Sequence, residues 1–265
     1  MKAVVKYPGS KWGIADWIIG HMPDHHTYLE PYLGSGAVLF KKRPSPIETV
    51  NDLDCNVVNL FRIIREQPEE LARVIAATPF SRFEYDSTFE QPAPEEPIMQ
   101  ARWFLLQCWQ GHGFRVNGYK VGWKNDVQGR EKAYELSNWY RLPVWILEAA
   151  ERLRKVQIEN RPAIEVIKRH KYPNVLIYAD PPYVLGTRTG KQYKCEMTDN
   201  DHREMLQALL DHPGPVILSG YENDVYNTIL HGWHKESVNA QAGYRKPVVE
   251  TIWMNRTPAQ QLEMF

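Results

Sequence analysis

Cysteine is scarce in this chain: Cys55, Cys108 and Cys195 are its three, in 265 residues. They lie far apart, and none has the close Cys or His companion that zinc sites use. We expect reduced packing residues, and neither a disulfide framework nor a metal centre. His21 and His25 have the i,i+4 spacing of a helical metal pair, but Pro23 between them breaks the helix that would aim both at one ion. They read as polar surface. Long apolar runs are absent too, none approaching the ~20 residues a membrane helix requires. The first residues, Met1, Lys2, Ala3, Val4 and Val5, lack the apolar core and cleavage site of a secretory leader. These absences predict a cytoplasmic protein with no membrane partner. Charge of one sign is also missing, because 32 Lys and Arg balance 32 Asp and Glu. Any nucleic-acid surface must therefore be local.

Such a local region exists between positions 102 and 169, where Arg115, Lys120, Lys124, Arg130 and further basic residues recur among aromatics. The part from 148 to 155 reads as solvated helix face. At both ends of the chain, short apolar runs alternate with amphipathic segments, the pattern of an α/β domain with a mostly parallel sheet. Strands are predicted over 27–30, 48–51, 156–160, 174–179, 215–219 and 248–254. Helices are predicted over 11–19, 37–42, 56–65, 144–154, 163–170, 201–210 and 223–230. From about 67 to 141 this alternation stops. That stretch reads as an insertion, with a Pro-rich break at 91–97, a helix around 98–109, and a Gly- and aromatic-rich piece with hairpin character at Asn117-Gly118.

Three constellations carry chemistry. Glu30-Pro31-Tyr32-Leu33-Gly34-Ser35-Gly36 runs from a strand into a glycine loop and a helix, which lets backbone approach a ligand and presents helix N–H groups to it. Alone, such a turn is equally a plain loop. Asp52 follows the next strand at roughly twenty residues, the spacing at which an acid reaches a ribose diol in nucleotide-binding folds. It could instead cap the following helix, although Asp54 is better placed to do so. Asp180-Pro181-Pro182-Tyr183 follows an apolar strand, so Asp180 sits at the carboxyl edge where open α/β sheets place ligands, and two prolines stiffen the turn. An exocyclic amine on an aromatic ring is a poor nucleophile because its lone pair is delocalised. The Asp180 carboxylate and the Pro181 carbonyl, accepting its two N–H bonds, would favour the pyramidal nitrogen that attacks a methyl group. Tyr183 can stack on a base extruded from its duplex. The bland reading is a Pro-rich turn with one exposed acid.

Taken together and in this order, these motifs resemble the Dam-like N6-adenine DNA methyltransferases. Lys6-Tyr7-Pro8-Gly9-Ser10-Lys11 looks like the family's N-terminal cofactor motif, 30–36 like its glycine loop, Asn51-Asp52-Leu53-Asp54 like its ribose-binding strand end, and 180–183 like its catalytic tetrapeptide. Without the family, Lys6 and Lys11 would be ordinary surface charges. The resemblance implies a Rossmann-like S-adenosylmethionine-dependent methyltransferase domain, 1–62 and 143–265, carrying a mainly helical target-recognition insertion, 63–142. It implies transfer from S-adenosylmethionine to adenine N6 in double-stranded DNA with base flipping, by a monomer that needs no metal. Tyr7, Lys11, Glu30, Pro31, Gly34, Ser35, Gly36, Asp52 and Asp180 would hold the cofactor, and Asp180, Pro181, Pro182 and Tyr183 would act in catalysis. Arg115, Asn117, Tyr119, Lys120, Lys124 and Arg130 would meet DNA, although the stretches His112–Gly118 and Gly122–Asp126 depart from the family's usual recognition hairpin. N4-cytosine methylation, protein amide methylation and a catalytically silent DNA-binding relative are the alternatives; restriction-associated, phage and orphan roles are all open.

Overall fold

The computed structural model describes residues 1–113, 115–125, 134–188, 190–240 and 248–256, with the backbone alone for 134 and 135. Its centre is a seven-stranded sheet in the order β3-β2-β1-β4-β5-β7-β6. The strands are β1 (Thr27–Glu30), β2 (Ile47–Asn51), β3 (Val156–Glu159), β4 (Val175–Ala179), β5 (Val216–Gly220), β6 (His234–Ala240) and β7 (Val248–Met254). β1 to β5 run parallel, while β7 is antiparallel to both its neighbours. The strand order reverses between β1 and β4, which opens a crevice beyond their carboxyl ends.

Side chains alternate between the two faces of the sheet and both faces are covered, so β4 is apolar throughout. On β4, Leu176 and Tyr178 join one buried cluster while Val175, Ile177 and Ala179 join the other. One face is covered by α1 (Ala15–Gly20), α2 (Ala37–Lys41), α3 (Cys55–Glu66) and α7 (Tyr134–Leu153), the other by α8 (Ala163–Arg169), α9 (Asp199–Leu210) and α10 (Asp224–Ile229). Between α3 and α7 lie α4 (Pro68–Ala76), α5 (Arg82–Glu90) and α6 (Pro97–Gln110), and this stretch adds no strand to the sheet among the described residues. Leu71 and Ile75 of α4 and Leu105 and Trp109 of α6 belong to the same cluster as Leu60, Leu142 and Ile146. Trp109 Nε1 donates to the Val4 carbonyl at 3.0 Å.

Three sequence readings are corrected. β6 is absent from the predicted strands, since its Lys, Glu, Ser and Asn residues give no apolar alternation. It is an edge strand with every second residue exposed, and β7 supplies all its pairing. The helix predicted from 144 begins at Tyr134 and runs through Pro143. Helix 11–19 shortens to α1, leaving Lys11 in the preceding turn. After α6 the chain turns back: Gly111 bridges Trp123, and the His112 N–H donates to the Gly122 carbonyl at 2.8 Å. The hairpin character read at Asn117-Gly118 comes down to this one isolated bridge, with no strand on either side of it among the described residues.

Candidate active site

The glycine loop leaves β1 at Glu30 and enters α2 at Ala37. Gly34 and Gly36 have φ of 49° and 64°, a left-handed conformation that strains any residue with a Cβ. A Cβ on Gly34 would also lie 3.1 Å from the Tyr7 ring. The loop is tied to the end of β2, because the Gly34 N–H donates to Asp52 Oδ2 at 2.8 Å. The Asp54 N–H donates to Asp52 Oδ1 at 2.9 Å. Burial pushes the Asp52 carboxyl up to about 6, against the pull of these two donors. Asp54 caps α3 by accepting the Asn56 N–H at 3.0 Å, the role expected of it, which leaves Asp52 facing the crevice.

On the other side of the crevice, Asp180 directly follows the last residue of β4. Its Oδ2 pairs with Lys11 Nζ at 2.9 Å, and its Oδ1 accepts the Ser219 hydroxyl at 2.8 Å. Lys11 is only 4% exposed, so the surface charge that its isolated reading suggested is a buried cation. Burial alone would lower its pKa, but Asp180 and then Glu250 hold it above the ordinary lysine value. The Lys11 ammonium also donates to the Gly9 carbonyl at 2.6 Å and lies 4.8 Å from the centre of the Tyr183 ring. Tyr183 is buried, with its hydroxyl donating to Glu250 Oε2 at 2.6 Å and Tyr221 packed edge-on at 4.6 Å.

A cavity of about 250 Å³ fills the crevice. Every sequence-derived cofactor residue borders it except Gly36, and of the tetrapeptide Asp180 and Pro182 do so. Pro181 and Tyr183 lie behind that wall. Glu30, which accepts the Tyr28 hydroxyl at 2.8 Å, is pushed by burial to about 8. The far wall is a segment with no periodic signal in the sequence: Tyr193, Cys195, Glu196 and Met197. It is folded around Glu196, which pairs with Arg188 and accepts the Gln192 and Tyr193 N–H groups at 2.8 and 3.0 Å. Cys195 is thus at the cavity, Cys108 is buried, and Cys55 is exposed and not a packing residue.

Among the described residues, none of the sequence-derived DNA residues borders the cavity. Arg115 lies 5.4 Å from the centre of the exposed Tyr119 ring. The Asn117 amide donates to the Lys191 carbonyl at 3.0 Å, and the Val116 N–H donates to the Gln192 carbonyl at 3.0 Å. These bonds dock the turn just before the segment that walls the cavity. Lys120 is held by Asp86 at 2.9 Å and Glu90 at 2.8 Å, and Lys124 donates to the Trp109 carbonyl at 3.2 Å. Arg130 lies outside the described residues. Sequence reasoning missed Ser219, Glu250, Tyr193 and Tyr221. Ser219 and Tyr221 lie at the end of β5 and Glu250 near the start of β7, which could have pointed to them, whereas Tyr193 has no such signal.

The family model for D12 class N6 adenine-specific DNA methyltransferases matches residues 7–242. A DNA adenine methylase of Salmonella typhi is 21% identical over 285 residues, covering 98% of this chain and 99% of the relative. One from Escherichia coli (strain K12) is 20% identical over 272 residues, 95% and 94% of the two chains. A Type II methyltransferase of Lactococcus lactis subsp. cremoris is 26% identical over 76 residues, 28% and 26% of the two chains. With the glycine loop, Asp52 and the tetrapeptide converging on one crevice, and a family match over most of its length, the chain belongs to the D12 class N6 adenine-specific DNA methyltransferases.

Proposed function

We propose that the methyl donor is S-adenosylmethionine, held in the crevice between β1 and β4, and that the target adenine leaves the duplex to meet Asp180. The observation that carries this reading is the pair of acids, Asp52 and Asp180, on opposite sides of one cavity. Asp52 keeps acceptor capacity beyond its two backbone donors, which suits a ribose diol. Lys11 and Asp180, 2.9 Å apart, present a cation and an anion side by side, which suits the zwitterionic amino-acid end of such a cofactor. When bound, S-adenosylmethionine supplies a methyl group activated by its sulfonium. The chain supplies acceptors for the amine, the Asp180 carboxylate and the Pro181 carbonyl, and Ser219 fixes the first of these. A base must be extruded before its amine can reach such acceptors.

This reading is tested by Asp52→Ala, which we expect to weaken S-adenosylmethionine binding by about 1 to 3 kcal/mol through loss of charge-assisted hydrogen bonds, with the fold kept. Titration calorimetry decides. Unchanged affinity in a folded variant would confine Asp52 to bracing the glycine loop.

We further read 63–142 as the target-recognition insertion on the catalytic domain formed by 1–62 and 143–265. Its ends lie within α3 and α7, which continue into that domain, and the turn it carries bonds to Lys191 and Gln192, just before the cavity-wall segment that starts at Tyr193. Arg115 is its best-placed DNA contact, since Lys120 and Lys124 already have partners. Arg115→Ala is expected to weaken binding of all duplexes alike if it holds a phosphate. A base contact would instead cost about 1 to 3 kcal/mol at one base pair. Binding to a panel of duplexes at fixed salt separates the two, and parental binding throughout would move the recognition surface elsewhere.

A further inference from the structure

Glu250 is a buried carboxylate in the reaction centre that neither motif nor spacing assigns. It stands on β7, opposite Val238 of β6, and is 7% exposed. An ionised carboxylate so far from water is costly unless paired and hydrogen-bonded. Its partner is the Tyr183 hydroxyl at 2.6 Å, a short bond of the charge-assisted kind, with the Lys11 cation nearby. Burial pushes the Glu250 carboxyl up, while Lys11 and the Tyr183 hydroxyl oppose the rise.

The consequence for Tyr183 is positional. Its ring is held at the hydroxyl by Glu250, against the Lys11 ammonium at 4.8 Å, and edge-on against Tyr221 at 4.6 Å. Lys11 in turn pairs with Asp180, and Asp180 is fixed by Ser219. β5 and β7 are neighbours, with Ser219 paired to Ile252, so adjacent strands each send one polar side chain to the tetrapeptide. Preorganised groups whose rotamers are fixed from behind are what a reaction that depends on orientation requires.

We propose that Glu250 is a positioning residue for methyl transfer: by accepting the Tyr183 hydroxyl it fixes the Tyr183 ring beside the Lys11–Asp180 pair, in place for the target adenine. This rests on the reading that the tetrapeptide receives that adenine. The test is single-turnover transfer by the full chain, at saturating S-adenosylmethionine, to a duplex with one target adenine. Four variants are compared with the parent: Glu250→Gln, Tyr183→Phe, their double, and Tyr183→Ala. Glu250→Gln and Tyr183→Phe are each expected to lower the maximal rate by up to roughly 100-fold, the effect of a small misplacement of reacting groups, with little change in the DNA concentration giving half that rate. The double variant is expected to be no slower than the slower single one, because Glu250→Gln weakens to a neutral acceptor the same bond that Tyr183→Phe removes. Multiplying losses in the double variant, or parental rates in both Glu250→Gln and Tyr183→Phe beside a slow Tyr183→Ala, overturn the role of Glu250 and leave the tetrapeptide reading standing. A parental rate in Tyr183→Ala overturns that reading as well. Should Glu250→Gln fail to fold, Tyr183→Phe removes the bond from its other end, and a parental rate there overturns the proposal alone.

Discussion

Asp180→Ala is expected to slow methyl transfer by roughly two to three orders of magnitude, or more, the usual cost of deleting one preorganised electrostatic contact at a reaction centre. Two losses combine in this variant. The target amine loses the anionic acceptor that would hold its N–H bond, and Lys11, buried at 4% exposure, loses its ion-pair partner. Asp180→Asn separates them, because it keeps an acceptor of the same size and removes the charge. Its rate should lie between those of the parent and Asp180→Ala. Cofactor binding is expected to weaken in both variants, so the chemical step must be read by single turnover at saturating cofactor. Duplex binding should persist, since phosphate contacts dominate affinity and Arg115 does not border the cavity. A rate in Asp180→Ala within a few-fold of the parent would falsify the assignment of Asp180 to catalysis.

How far this site was legible in the sequence depends on how each residue reaches it. Glu30, Asp52 and Asp180 each sit at or just beyond the carboxyl end of a strand, and β4, buried on both faces, announces itself as an apolar run. Their convergence then follows from the sheet order, because β1 lies between β2 and β4. Ser219 ends a readable strand, yet nothing local distinguishes it from other strand serines; its bond to Asp180 exists only because β4 and β5 pair. Glu250 is harder still. It precedes the apolar run of β7 and reads as a solvent-facing acid until β6 and the Tyr183 loop cover it. The wall from Tyr193 to Met197 has no period at all, since its shape comes from the Arg188–Glu196 pair and the backbone donors gathered on Glu196.

The stretch from 148 to 155 shows the same limit in the scaffold. Read as a solvated helix face, it contains Arg152, whose side chain is 13% exposed and whose guanidinium pairs with Glu48 at 2.5 Å and donates to the Leu39 carbonyl at 2.9 Å. Glu48 opens the buried part of β2 and also holds Lys42 at 2.7 Å. Helical spacing cannot reveal that a charged position faces another charge from a distant strand.

Glu48→Ala is therefore expected to destabilise the fold by about 3 to 5 kcal/mol, the cost of breaking a buried ion pair from one side. The loss is large because two cations depend on this carboxylate. Lys42 and Glu48 have side chains only 3% exposed, so the variant leaves an ammonium out of water with the Ser45 hydroxyl, the Arg43 carbonyl and the Tyr28 ring, none of them anionic, as its remaining partners. Arg152 keeps the Leu39 carbonyl but loses both bonds to Glu48, loosening the tie between α7 and β2. Replacing Glu48, Lys42 and Arg152 together with apolar residues of similar volume should cost less than Glu48→Ala alone, because no uncompensated charge stays buried. The pH dependence has a definite sign. Although burial raises it, the bonds from Arg152, Lys42 and the Ser45 N–H leave the Glu48 carboxyl below the ordinary glutamate value. Its contribution is thus present at neutral pH and is lost as pH falls through that lowered value. Denaturant unfolding of parent and variant at pH 7 and again in acid measures both effects. A gap that is small at pH 7, or that fails to narrow in acid, would mean that α7 is held to the sheet by apolar packing alone.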